Sequence, residues 1–110
     1  MNFYMGNTIG EINKEDFNAE VRDDLIDFIY KLKGQVAFDM SKLYEINPYD
    51  DVEIPKSDLP QIVRICKYIL KTSLLKDYKE AEEGGQMLRN LLKIAQKAIA
   101  RDIGLVSIGD

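Results

Sequence analysis

The chain has 110 residues, 45% of them apolar and 31% charged, a balance that fits one globular domain and is too apolar for a disordered chain. Histidine is absent and Cys66 is the single cysteine, which excludes Ser-His-Asp and Cys-His catalysis, histidine-containing metal sites and any intrachain disulfide. The net charge of −4 is polarised: residues 39–58 hold six acids against two bases, whereas residues 59–101 hold nine bases against four acids.

Residues 1–12, MNFYMGNTIGEI, read as a short extended segment interrupted by Gly6-Asn7 and Gly10, with room for a small hairpin. Asn13 is a good helix N-cap, and Glu15 and Asp16 suit the positive end of a helix dipole. Phe17, Val21, Leu25, Phe28 and Leu32 then recur at spacings of 4, 4, 3 and 4, which predicts an amphipathic helix running to Lys33 and closed by Gly34. Its other face would carry Asp16, Glu20, Asp23 and Asp27. Such a row could hold metal only with ligands from a second helix, so it reads as the solvated side.

A shorter helix is expected over residues 36–46, with Asp39 as its cap and Met40, Leu43 and Tyr44 facing inward. Asn47-Pro48 ends it, because the residue before proline is pushed out of helical angles. Val52-Glu53-Ile54 alternates as a short extended piece does, and Pro55 closes it. Ser57 caps the next helix, with Asp58 and Pro60 in its first turn. Leu59, Ile62, Cys66, Ile69 and Ser73 make its central stripe, which places Cys66 in the core rather than at a reactive site.

In the last segment Tyr78, Ala81, Gly85, Leu88, Leu92, Ala95 and Ile99 alternate at 3 and 4 without a slip, flanked by Met87, Leu91, Ile94 and Ala98. Gly84-Gly85 leaves two readings open: a loop through Glu82 to Gly85 that starts a fresh helix, or one long helix thinned for close packing. The acidic run before the glycines favours the fresh start. The apolar tail, with Leu105, Val106 and Ile108, is expected back in the core as a strand beside the N-terminal one.

Two surfaces are candidates for function. Arg89, Lys93, Lys97 and Arg101 stand every fourth residue, a spacing that could track nucleic-acid phosphates. The acidic net charge, the lack of interleaved aromatics and the lack of a reader motif count against it. The other is the turn over residues 43–55, where Tyr44, Glu45, Tyr49, Asp50, Asp51 and Glu53 are concentrated. Tyrosines provide contact area at low entropic cost and carboxylates steer a basic partner, so the turn suits a protein that covers a positive surface. The plainer reading is an interhelical turn whose acids cap its neighbours. It lacks the ligand spacing and central glycine of a calcium loop. No phosphate loop, Gly-x-Ser-x-Gly or Cys-x-x-Cys occurs, and no catalytic residue, cofactor or metal is assigned.

The stretch Ile46-Asn47-Pro48-Tyr49-Asp50-Asp51 resembles an Asp-Pro-Tyr-Gly-Asp pattern of small bacterial proteins similar to the immunity proteins of polymorphic-toxin and contact-inhibition systems. Those chains also end on Ile-Gly-Asp, as here at Ile108-Gly109-Asp110. Asn47 stands where that pattern has Asp, and Asp50 where it has Gly. The resemblance implies a non-enzymatic protein that works by binding.

The expectation is a mainly α single domain over residues 1–110, a bundle of four to five helices with at most a minor strand pair from the termini. Its expected task is immunity: occluding a cognate toxin through the acidic turn. A nucleic-acid or regulatory role for the basic stripe is the alternative. No apolar run approaches the roughly 20 residues that span a bilayer, no membrane contact is expected, and the opening lacks a signal peptide's basic n-region. With a lone cysteine, the cytoplasm is the expected location.

Overall fold

A computed structural model describes residues 1–109; Asp110, the last residue of the resemblance, lies outside the described residues. Four helices and a four-stranded antiparallel sheet share one core: β1 (Asn2–Met5), β2 (Ala19–Glu20), α1 (Asp23–Leu32), α2 (Ser41–Tyr44), β3 (Val52–Ile54), α3 (Leu59–Lys71), α4 (Ala81–Ala100) and β4 (Leu105–Ile108). Helix accounts for 52% of the chain and strand for 12%, so the sheet is more than the minor strand pair expected. Its order is β2-β1-β4-β3, with the two termini as the central pair. The tail returns beside β1, pairing Phe3 with Ser107 and Met5 with Leu105.

The pleat assigns the two faces of the sheet. Phe3, Ala19, Ile54 and Leu105 point one way and join the helices in the core. Tyr4 and Val106 point the other way and are buried outside that core. The loop over residues 6–18 reaches that face, where the Ile9 N–H donates to Glu53 Oε2 at 2.9 Å. Glu53 sits there because it pairs with Val106.

The first helix is shorter than its periodicity predicts. Asn13 does accept an N–H, but from Glu15 two residues on (3.0 Å), so it closes an Asx turn rather than a helix. Ala19 and Glu20 then pair with Phe3 and Asn2, and the Val21 N–H donates to Met1 O at 2.9 Å. The ladder takes the amides that a helix would have used. Helix α1 therefore starts at Asp23, and the acid row is dispersed: Asp16 lies in a loop, Glu20 on β2, and only Asp23 and Asp27 on α1. Phe17, expected inward, is 40% exposed.

The helix expected over residues 36–46 contracts to Ser41–Tyr44, with Asp39 Oδ1 accepting the Ser41 N–H at 2.9 Å. Helix α3 keeps its predicted face, with Pro60 in the first turn and Leu59, Ile62, Cys66 and Ile69 buried, but Asp58 rather than Ser57 is its N-cap, Ser57 lies in the preceding 3-10 turn, and Ser73 lies beyond its end.

The glycines do not break α4. It runs unbroken from Ala81, and a Cβ on Gly84 would stand 2.9 Å from the Tyr78 ring. The tyrosine occupies the space that the missing side chain leaves. At the other end Asp102 takes φ 58°, the Ile103 N–H reaches Ala98 O at 3.1 Å and the Asp102 N–H reaches Ile99 O at 3.0 Å, a Schellman closure that turns the chain into β4. The buried face lies between the two predicted stripes: Leu88, Leu91, Ile94, Ala95 and Ala98 are inside, whereas Ala81 and Ile99 are exposed.

Candidate functional site

Asp23, Asp27 and Tyr30 stand at spacings of 4 and 3 and form one strip along the outside of α1. Opposite them are Tyr44, at the end of α2, and Pro48 and Tyr49 of the following turn. A groove of about 550 Å³ lies between, with Asp24 and Ile26 completing its lining. Tyr30 and Tyr44 meet edge to face, with centroids 5.3 Å apart and planes at 85°. Tyr49 is 72% exposed and stands free above the groove. The Lys33 Nζ lies over the Tyr30 ring, 3.8 Å from its centroid, and the interaction with the Tyr30 phenol holds its pKa above the usual lysine value.

The six residues expected to act together are divided. Tyr44 and Tyr49 face this groove. Glu45 and Glu53 open instead on a shallower cleft of about 310 Å³, bordered by Lys42, Asn47 and Asp58, where Lys42 pairs with Asp58 at 3.4 Å. Asp50 and Asp51 hold the turn together. Asn47 Oδ1 accepts the Tyr49 N–H at 2.9 Å, Asn47 Nδ2 donates to Asp50 Oδ2 at 2.8 Å, and the Gly109 N–H donates to Asp51 Oδ1 at 3.1 Å. Gly109 lies so close that an added Cβ would be 2.6 Å from Asp50 O. The two fragments that carry the resemblance, far apart in the chain, are therefore in direct contact.

The back of the groove is fixed by a polar network. Tyr78 Oη donates to Asp24 Oδ1 at 2.7 Å, and Lys79 Nζ lies 3.4 Å from Asp24 Oδ2. Arg22 donates to Glu80, to Glu83 at 3.3 Å and to Tyr78 Oη at 3.5 Å, so the entrance to α1 is tied to the start of α4. The Tyr78 hydrogen bond, then Lys79 and Arg22, hold the Asp24 carboxyl below the usual range. Arg22 does the same for Glu80. Burial, then Asp24, raises the Tyr78 phenol. Asp27 differs from its neighbours in having no hydrogen bond or ion pair among the described residues.

The groove's polar groups are carboxylates and phenols that accept hydrogen bonds and attract cations. The Cys66 thiol is on the inner side of α3, where burial pushes its pKa up to about 12 and keeps it protonated. Among the described residues no three acids or cysteines group as metal ligands, and no helix is long and apolar enough to cross a membrane.

The α1 side of the groove was not legible as a site from the turn alone. The usable signal was Tyr30, an aromatic placed on the polar face of its helix in phase with Asp23 and Asp27. Compared with known proteins, this chain matches no family model, no curated protein and no solved structure.

Proposed function

We propose that this chain is a non-enzymatic binding protein of the immunity type, acting in the cytoplasm by occluding a cognate toxin that presents a basic surface. The observation that carries the reading is the groove in which Tyr30, Tyr44 and Tyr49 converge with Asp23, Asp24 and Asp27. Tyrosine rings bury large area with few rotors to fix, and they hold guanidinium or ammonium groups against their faces. Carboxylates around them raise the rate of encounter with a positive partner and penalise a negative one. The contact between the turn and Gly109 supports the same reading, because it gives a structural reason for the two matching fragments to occur together.

The test is to express each neighbouring open reading frame with and without this gene. A frame that kills alone and is tolerated with the pair supports the reading; if no frame behaves so, it is wrong. In a positive pair, Tyr49→Ala and Asp27→Asn should weaken the complex about tenfold or more, as hot-spot residues do. Unchanged affinity in both would move the interface away from the groove.

A further inference from the structure

The basic face of α4 carries a separate inference. From Gly84 to Arg101 the chain has four basic residues and no acid. Those four, Arg89, Lys93 and Lys97 on α4 and Arg101 at its C-cap, are all exposed. None has a carboxylate within 4.0 Å among the described residues. The spacing of four residues sets the charges about 6 Å apart along the helix axis.

Tertiary structure adds what the sequence of α4 lacks. Phe17, carried in from the loop before β2, lies with its ring centroid 5.3 Å from Lys93 Nζ and 5.2 Å from Lys97 Nζ. The ring is 40% exposed even so. The ring therefore keeps apolar surface open to solvent next to two ammonium groups that have no carboxylate of the described residues within 4.0 Å.

We propose that this face binds single-stranded nucleic acid, with a base stacked on Phe17 and the adjoining phosphates on Lys93, Lys97 and their neighbours Arg89 and Arg101. A flat ring flanked by cations matches an unpaired nucleotide, in which the base and the phosphate are both free to make contact. A duplex keeps its bases stacked on each other and leaves the ring unused. An acidic peptide would satisfy the lysines but has no need of the ring. Stacking on an aromatic ring tolerates any base, so the preference expected is for single strands rather than for a sequence. The net charge of −4 opposes any polyanion at long range, so binding is confined to low salt and is weak.

The experiment is a fluorescence-anisotropy titration of the full chain against a short labelled oligothymidylate, a labelled duplex and labelled poly-glutamate, from about 50 mM salt upward. Expected is preferential binding of the oligothymidylate, weakening with salt. Lys93→Ala combined with Lys97→Ala should lower the log–log salt slope by about 1.4, the value for two lost phosphate contacts on a single strand. Phe17→Leu, which keeps an apolar side chain in place, should weaken binding roughly tenfold and leave the slope alone. Circular dichroism checks that each variant is folded. No binding at the lowest salt, equal affinity for all three probes, or indifference to Phe17→Leu would each overturn the proposal. Tyr49→Ala should leave this binding unchanged, which separates it from the groove.

Discussion

Two acid-rich regions of this molecule use the same residue types differently. In the turn between α2 and β3, Asp50, Asp51 and Glu53 each accept a hydrogen bond from the chain itself: from Asn47, from the Gly109 amide and from the Ile9 amide. On α1, Asp24 is held in the Arg22 and Tyr78 network, yet Asp27 accepts nothing and Tyr30 is half open to solvent. The denser acid cluster in sequence is therefore largely structural. The proposed contact surface lies where a carboxylate with no partner in the fold, Asp27, meets tyrosines in space. A carboxylate that already closes a backbone turn must lose a hydrogen bond to bind anything else, whereas Asp27 loses none.

The contrast can be broken from either side. The largest effect is expected where β4 enters beneath β3. A Cβ on Gly104 would stand 2.3 Å from Ile54 O, a clash of backbone with side chain that no rotamer relieves. Gly104→Ala should cost about 3 kcal/mol in urea unfolding and loosen the turn with it. A variant of unchanged stability would show that β3 moves freely against β4.

Next comes Arg22, the hub between α1 and α4. Its side chain is 38% exposed, so solvent screening limits the worth of each pair, and Arg22→Ala should lower the urea midpoint by less than Gly104→Ala does. The same variant should change the acid limb of stability. Asp24, Asp39 and Glu80 are held below their ordinary values in the fold, so the unfolded chain binds more protons and stability rises with pH. Their contribution is complete above the ordinary carboxylate values of about 4 and is lost as pH falls through the lower folded values. Urea midpoints measured across that window should fall less steeply in Arg22→Ala, because Glu80 and Asp24 lose a cause of their depression while Asp39, held by Ser41, keeps its own. Parallel curves would show that Arg22 does not govern these acids.

Smaller still is Asp51→Ala, which leaves the exposed Gly109 N–H to water and should cost about 0.5–1 kcal/mol. The smallest effect belongs to the groove itself. Tyr49→Ala and Asp27→Asn should change stability by no more than about 0.5 kcal/mol, since neither removes a buried contact or a hydrogen bond of the fold. A larger loss in either would assign α1's outer face to structure and erase the difference from the turn.

The alternation of 3 and 4 in α3 and α4, the extended Val52-Glu53-Ile54 and the apolar tail were all legible because each is a local pattern with its face already chosen. The helix predicted from Asn13 failed for a non-local reason. Phe17 and Val21 are in helical phase with Leu25, but the edge of β1 offers Ala19 and Glu20 a hydrogen-bonded partner that the local sequence does not display. Gly84 was ambiguous for the same kind of reason, since its meaning depends on the Tyr78 ring. Half of the candidate groove was legible in the turn; the α1 half was not, because helical phase alone does not say what stands opposite a helix.

By itself, then, the sequence determined the catalytic side chains this protein lacks, the polarity of its charge, the inner face of α3 and the return of its tail. Only the tertiary structure decided that the termini form the centre of a sheet, that the turn's acids hold Asn47, Ile9 and Gly109, that Tyr30 faces Tyr44 and Tyr49, and that Phe17 stands beside the lysines of α4. Periodicity records which side of an element avoids water, a property of neighbours along the chain. Which carboxylate is already occupied depends on partners up to 61 residues away, and those are settled only when the core closes.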